Sequence, residues 1–262
     1  MGIFKIATYN VNSIRSRLHI IIPWLKSHRP DVFCMQETKV EDDQFPVQSF
    51  NDAGYHVSFK GEKSYNGIAM ASLQKPEHLS FGFTDGGPRD ESRLLRAVVG
   101  GISILNTYVP QGRERPSTFF TYKLEWFHRL RKLLEKNYSS ASLLIWCGDL
   151  NVAPEAIDVH NPKRLLGHVC FNSEVWDALK TVSSWGLTDI FRKHHPGEAG
   201  QYTFFDYRVP KSTERGLGWR VDHIFATDTL VETSRSCTID MGPRLGLKPS
   251  DHTILAADFG IA

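Results

Sequence analysis

The chain has 262 residues, 41% hydrophobic and 23% charged, with a formal net charge of +2. A chain of that length buries roughly 70–75% of its unfolded surface, so it needs no disulfide or structural metal to stay folded, and its mild charge names no partner. Four cysteines (Cys34, Cys147, Cys170, Cys237) lie far apart with no C-x-x-C pair, which argues against a zinc ribbon, a thioredoxin site and a secreted disulfide scaffold.

In chain order, a strand is predicted at Phe4–Tyr9, with no charged and apolar leader before it, then a helix at Leu18–Ser27 and strands at Val32–Met35 and Gly67–Ala71. Strands follow at Leu94–Val99 and Ile102–Tyr108. A long helix is expected over Thr118–Lys136, with Phe119, Tyr122, Trp126, Leu130 and Leu133 at helical spacing. Then come a strand at Leu143–Cys147, a helix over Asn172–Trp185 capped by Asn172 or Ser173, and strands at Val221–Ala226 and Ile254–Phe259. Strands outnumber helices and do not alternate with them, so two packed sheets covered by helices are expected in a single domain over residues 1–262. No apolar run approaches the ~20 residues of a membrane span, and the chain reads as intracellular.

Polar residues collect where the strands end. Ile6–Tyr9 ends in Asn10-Val11-Asn12, Val32–Met35 in Gln36-Glu37-Thr38-Lys39, and Leu143–Cys147 in Gly148-Asp149-Leu150-Asn151. Tyr108 is followed by Val109-Pro110-Gln111-Gly112, Asp222-His223 opens another strand, and Ser250-Asp251-His252 precedes the last. One such cluster makes a turn or a cap. Six that converge on one rim supply carboxylate and amide oxygens with one imidazole. Such a donor set suits Mg²⁺ or Mn²⁺ rather than zinc, and fits phosphodiester hydrolysis. Arg and Lys beside aromatic residues in 113–115, 207–211 and 215–220 suit a polyanion with faces to stack on.

Taken together, Thr8-Tyr9-Asn10-Val11-Asn12, Gln36-Glu37-Thr38-Lys39, Tyr65-Asn66-Gly67-Ile68-Ala69, Asn106–Gly112 and Gly148–Pro154 carry a resemblance, as do Tyr202–Arg208, Gly218–His223 and Lys248–His252. In these motifs, ordered from end to end, the chain resembles the exonuclease III family of apurinic/apyrimidinic endonucleases, in the endonuclease/exonuclease/phosphatase superfamily. The resemblance implies a DNase I-like α/β (α+β) four-layer sandwich, two packed mixed β-sheets flanked by helices. It implies a Mg²⁺-dependent enzyme, with Mn²⁺ able to substitute, that cuts 5′ to abasic sites in double-stranded DNA and leaves a 3′-hydroxyl. Nicks and blocked 3′ ends are further implied substrates, through 3′-5′ exonuclease and end-cleaning activity. It also implies a monomer at the nucleoid in the cytoplasm, with no membrane association.

At matching positions the resemblance implies Glu37 as main metal ligand with Asn10, Asn12 and Asp251 beside it, and Asp149, Asn151 and His252 in or near the same shell. Some relatives carry Asp where Asn12 stands. Asp149 is to orient or deprotonate water, Asn151 to position water and phosphate, Asp222 to hold His252 on the phosphate, and Tyr108 to donate its hydroxyl. Lys39, Tyr65, Asn66, Gln111 and Arg113 are the expected DNA contacts, with Phe204, Trp219 and Val221 as an apolar pocket for a base-free sugar. Trp24, Trp126 and Trp185 read as core, Cys147 as packed, and His19, His28, His56, His194 and His195 as ordinary surface or core residues. Three other readings compete. One is a superfamily phosphatase on a non-DNA phosphodiester, and another an incision activity extended to deoxyuridine or altered bases. The third, a degenerate binding module, conflicts with an intact Glu37, Asp149, Asn151 and His252 set.

Overall fold

A computed structural model describes residues 2–261. Two six-stranded mixed sheets lie face to face. The first contains β1 (Gly2–Asn10), β2 (Val32–Gln36), β3 (His56–Lys60), β4 (Ile68–Ser72), β11 (Ser234–Asp240) and β12 (Ile254–Ile261). The second contains β5 (Glu77–Phe81), β6 (Leu94–Val99), β7 (Ile102–Tyr108), β8 (Leu144–Asp149), β9 (Thr188–Asp189) and β10 (Asp222–Ala226). Their spatial orders are β11-β12-β1-β2-β4-β3 and β5-β6-β7-β8-β10-β9. The helices are α1 (Ile14–His28), α2 (Val47–Asn51), α3 (Thr118–Asn137), α4 (Pro162–Leu165), α5 (Ser173–Ser183), α6 (Ile190–His194), α7 (Asp228–Thr233) and α8 (Gly242–Leu245).

Each sheet has one parallel pair at its middle, β1/β2 and β7/β8, and a parallel pair needs a crossover that returns the chain to the same end. α1 and α3 are those crossovers. The side-chain period of two sorts each central strand between two apolar layers. Ile6, Val32, Cys34, Ile104, Ile145 and Cys147 meet between the sheets. Ala7, Tyr9, Phe33 and Met35 pack outward on α1 and α2, and Leu105, Leu144 and Trp146 pack outward on α3 and α5. The result is the expected four layers.

The eight expected strands are present, and four more complete the sheets. Those four, β3, β5, β9 and β11, are the outermost strands of the two sheets. An edge strand with one face wet carries polar residues and loses the apolar run that marks a central strand. α1 begins at Ile14, four residues before the expected Leu18, because Ile14 is itself buried in the outer layer. Asn172 is the cap of α5, its side-chain oxygen accepting from the Val175 N–H at 3.2 Å. On α3 the core face holds Phe120 and Phe127 with Trp126, Leu130 and Leu133, whereas Phe119 is exposed under the Arg113 guanidinium, 3.8 Å from the ring centroid. Cys147 is packed between the sheets, as expected, and Trp126 and Trp24 are buried. Among the described residues, no helix is long and apolar enough to cross a membrane.

Candidate active site

Both parallel pairs end at one rim, so β1 and β2 deliver Asn10 and Glu37 opposite Tyr108 and Asp149 from β7 and β8. Asn10 ties the two sheets together there. Its amide nitrogen donates to Glu37 Oε1 at 3.0 Å and to Asp149 Oδ2 at 2.8 Å. Strand pairing sets Asp149 beside Tyr108 on one side and Asp222 on the other. Gly148 makes that approach possible. At φ +134° a Cβ on it would sit 2.0 Å from the Thr107 carbonyl oxygen. Several non-glycine residues here also take positive φ: Asn12, Glu37, Lys39, Arg113 and Asn151. That conformation costs about 1–2 kcal/mol per residue and persists only where surrounding contacts hold it.

His252 is the centre of a chain of charges. Its Nδ1 donates to Asp222 Oδ2 at 2.8 Å, and its Nε2 lies 3.8 Å from Asp149 Oδ2. All three side chains are buried. Burial alone would drive the proton off the ring, but the Asp222 charge and then the Asp149 charge outweigh it and push the pKa up to about 10. Burial raises Asp149 to about 7, against the opposing pull of His252. Asp222 is in turn fixed by Thr203, whose hydroxyl oxygen accepts from the N–H groups of Val221 and Asp222 at 3.1 Å each. Burial, followed by the charges of Glu37 and Asp149, lifts the Tyr108 pKa well above its ordinary value.

The oxygens of Glu37 and Asn12 converge on a cation. The Lys39 ammonium lies 2.6 Å from both Glu37 Oε2 and Asn12 Oδ1. Asn12 also donates to Asp251 Oδ1 at 2.9 Å. Although burial opposes ionisation, Lys39, Asn10 and Tyr108 hold the Glu37 carboxyl below its usual range. These are hard oxygen donors with no thiolate among them, a set that fits Mg²⁺ or Mn²⁺.

Glu37, Tyr108, Gln111, Arg113, Asp149, Asn151, Asp251 and His252 open on a cleft of about 580 Å³. Phe204, Trp219 and Val221 line the same cleft. Phe204 and Trp219 exchange two backbone hydrogen bonds of 2.9 Å, and the Phe204 ring lies 4.9 Å from the His252 ring. Three expected DNA contacts stand apart from this lining. Lys39 is turned onto Glu37. Asn66 is held by Glu62 and by Arg93 Nη2 at 2.6 Å, and Tyr65 projects outward, 71% exposed.

Two residues of the cleft wall, His168 and Cys170, went unrecognised in the sequence, and two more, Asp206 and Arg208, were noted there only as part of the Tyr202–Arg208 motif and the basic stretch 207–211, with no site role. The Cys170 N–H donates to His168 Nδ1 at 3.2 Å, so Nε2 carries the proton, and burial with the nearby Lys123 charge favours the neutral ring. Behind the wall, the fully buried Lys123 ammonium donates to the carbonyls of Asn151 at 2.6 Å, Val169 at 2.8 Å and Gln111 at 3.2 Å. Three cleft loops are thereby tied to α3.

Residues 7–252 match the model of the endonuclease/exonuclease/phosphatase family, and the chain belongs to that family. It is 32% identical to exodeoxyribonuclease III of Haemophilus influenzae over 97% of this chain and 99% of that one. Among solved structures it is similar to an AP endonuclease from Archaeoglobus fulgidus, with 54% identity, a TM-score of 0.96, and coverage of 98% of this chain and 100% of the other. A 3′ phosphatase from Neisseria, bound to a product DNA hairpin, gives 31% identity and a TM-score of 0.91 over 98% and 100% of the two chains.

Proposed function

We propose that the chain hydrolyses the phosphodiester 5′ to an abasic site in double-stranded DNA, with Mg²⁺ bound, and leaves a 3′-hydroxyl. The enzyme is a DNA-repair nuclease of the exodeoxyribonuclease III and AP-endonuclease kind. The same centre is assigned removal of nucleotides and blocking groups from 3′ ends, in line with the exodeoxyribonuclease and 3′-phosphatase names of its relatives. A monomer acting on chromosomal DNA at the nucleoid completes the reading.

The observation that carries it is the Asp222–His252–Asp149 chain, set between a cation-seeking oxygen cluster and an apolar wall. His252, protonated at neutral pH, presents an Nε2–H to a phosphate oxygen where charge accumulates. Asp149, with its pKa near neutrality, is placed to accept a proton from the attacking water. Asn151 is next to it, its backbone N–H donating to Asp149 Oδ1 at 3.0 Å, and orients water and phosphate. Tyr108 supplies a second donor, its hydroxyl. Glu37, Asn12 and Asp251 would hold the divalent ion, and Asn10 fixes Glu37 relative to Asp149. Bound there, the ion would polarise the phosphoryl oxygens and offset the leaving-group charge. Because Asn12 is neutral, that seat has one negative charge fewer than an Asp would give it. Phe204, Trp219 and Val221 form a surface on which a base-free sugar fits and a stacked nucleotide does not. Gln111 and Arg113 contact phosphate, which fixes register without reading sequence.

The test is incubation with Mg²⁺ and end-labelled duplexes that carry one abasic analogue, one uridine, one nick, one 3′-phosphate or an undamaged 3′ end. A product band 5′ to the abasic position is expected. Cleavage confined to 3′ ends would overturn the endonuclease assignment, and phosphate release from an inositol phosphate without DNA cleavage would overturn both.

A further inference from the structure

His223 is a fully buried imidazole, one residue past Asp222 on β10, and takes no part in the chemistry at His252. Its Nε2 lies 2.8 Å from the Val152 carbonyl oxygen, and its Nδ1 lies 2.9 Å from Arg220 Nη1. A guanidinium can only donate, so Nδ1 accepts and the ring proton sits on Nε2, aimed at Val152. Asp189 Oδ2 is 3.7 Å from the same Nδ1, beyond hydrogen-bond reach, and accepts instead from Arg220 Nη1 at 2.8 Å. Asp158 fixes the other edge of that guanidinium, accepting from Nε at 2.7 Å and from Nη2 at 3.2 Å. Both carboxylates therefore act on the imidazole through Arg220, which selects its tautomer.

Val152 follows Asn151, whose left-handed backbone, φ +52°, persists only where neighbouring contacts hold it. Two consecutive carbonyls of this turn each meet a buried donor. Lys123 Nζ reaches Asn151 at 2.6 Å, and His223 Nε2 reaches Val152 at 2.8 Å. The next N–H, of Ala153, donates to the Cys170 carbonyl at 2.8 Å. On the cleft side the Asn151 carboxamide donates to the Val109 carbonyl at 3.0 Å and to Asp149 Oδ2 at 3.3 Å. A turn released from below would carry that carboxamide away from Asp149. Resting on the phosphodiester-hydrolysis reading above, we propose that His223 is a positioning residue for Asn151. It acts through the Val152 carbonyl, and Arg220 selects the tautomer able to donate there. A misplacement of about 1 Å in such a group can cost about 100-fold in rate while the substrate still binds.

Two substitutions divide the ring between its two hydrogen bonds. His223→Gln places an amide N–H near the former Nε2 and leaves Arg220 without its acceptor. His223→Asn places an amide oxygen near the former Nδ1 and leaves Val152 without its donor. Cleavage of an abasic duplex in Mg²⁺ is followed in single-turnover assays, binding by fluorescence anisotropy in chelator, and melting temperature in parallel. His223→Asn should lower the rate at saturating enzyme roughly 10–100-fold with Kd within about three-fold, and His223→Gln should keep the rate within about three-fold of wild type. A residue that only supports the fold gives rates that rank with melting temperature, and that ranking overturns the proposal. A wild-type rate in a folded His223→Asn variant overturns it as well. Imidazole ¹⁵N spectra of the wild type give a second measurement, independent of activity: His223 should show a protonated Nε2 and a bare Nδ1, and a proton on Nδ1 overturns the assignment. If the wild type cuts neither abasic duplexes nor 3′ ends, the functional reading fails and the role of His223 with it. If it cuts and His223→Asn cuts as fast, only the positioning role fails.

Discussion

Replacing Asp222 with Asn removes one charge from the buried chain at His252 and changes almost nothing in size. The imidazolium and the Asp222 carboxylate are joined by a 2.8 Å hydrogen bond, which puts their charge centres about 4 Å apart. At an effective dielectric of ~20, that attraction is about 4 kcal/mol, or about a thousandfold in proton affinity. The ring, raised to about 10 in the wild type, then titrates near neutrality. The sign follows from which form is needed. If the protonated ring meets the phosphate, the wild type keeps its activity until alkaline pH, and the variant loses activity as pH rises through neutral. The amide also no longer selects one ring orientation, so the chemical step should fall by roughly 10²–10⁴ at neutral pH, with DNA affinity changed only a few-fold. Single-turnover incision of an abasic duplex between about pH 6 and 10, with binding and melting temperature measured in parallel, tests this. A variant with the wild-type alkaline limb would show that Asp222 does not set the charge on His252. A loss that tracks melting temperature alone would reduce the pair to packing.

Three further perturbations separate the parts of the site. Phe204→Ala and Trp219→Ala should narrow the ratio of abasic to intact-duplex cleavage while metal-dependent turnover survives; equal losses on both substrates together with a lower melting temperature would make these rings packing residues. Chelator should abolish incision, and borohydride should trap no adduct, because among the described residues that line the cleft there is no lysine for Schiff-base chemistry, Lys39 being turned onto Glu37; full activity in excess chelator refutes the metal assignment. Behind the site, Asp189 and Asp158 are bridged by the buried Arg220 at 2.8 and 2.7 Å, and Arg220 overcomes burial to hold the Asp189 carboxyl well below its usual range. A depressed folded pKa gives stability that is full above the unfolded value of about 4 and is lost as pH falls below it, so thermal stability should drop steeply in that acid range. Asp189→Asn should cost about 3–5 kcal/mol at neutral pH and much less in acid; an equal cost at both would deny the ion pair its role.

The parts of the fold legible in the sequence were those where burial is symmetrical. Leu94–Val99 and Ile102–Tyr108 are covered on both faces, so the first is apolar but for Arg96, the second opens on Ile102, Ile104 and Leu105, and the strand limits fall where expected. Glu77–Phe81 and His56–Lys60 have identical backbone roles but one paired edge each. Their side chains answer mainly to water, and Glu-His-Leu-Ser-Phe or His-Val-Ser-Phe-Lys carries no period that separates strand from loop. The rim residues were legible for a related reason. Asn10, Glu37, Asp149 and Asp222 stand at or just beyond the ends of strands that are otherwise apolar, where each polar group interrupts a pattern and is seen by contrast.

Lys123 shows what contrast alone misses. On α3 it lies three residues after Phe120 and three before Trp126, within the stripe that faces the core, yet a lysine on a charged helix passes as solvated surface. Position was the available signal, because a charge on an apolar stripe must find partners or lose its proton. Here the partners are three carbonyls from separate loops, which sequence distance conceals: 12 residues to Gln111, 28 to Asn151 and 46 to Val169. Burial draws the Lys123 pKa down, and the Cys170 and Asp149 charges oppose that fall. Gly112, at φ +95°, leaves room for the lysine stem, since a Cβ there would lie 3.2 Å from Lys123 Cδ. His168 and Cys170 reach the cleft because the Val169 carbonyl between them is held by this ammonium. They belong to no apolar run and end no strand, so their place in the wall follows from the lysine beneath them rather than from their own surroundings in the chain.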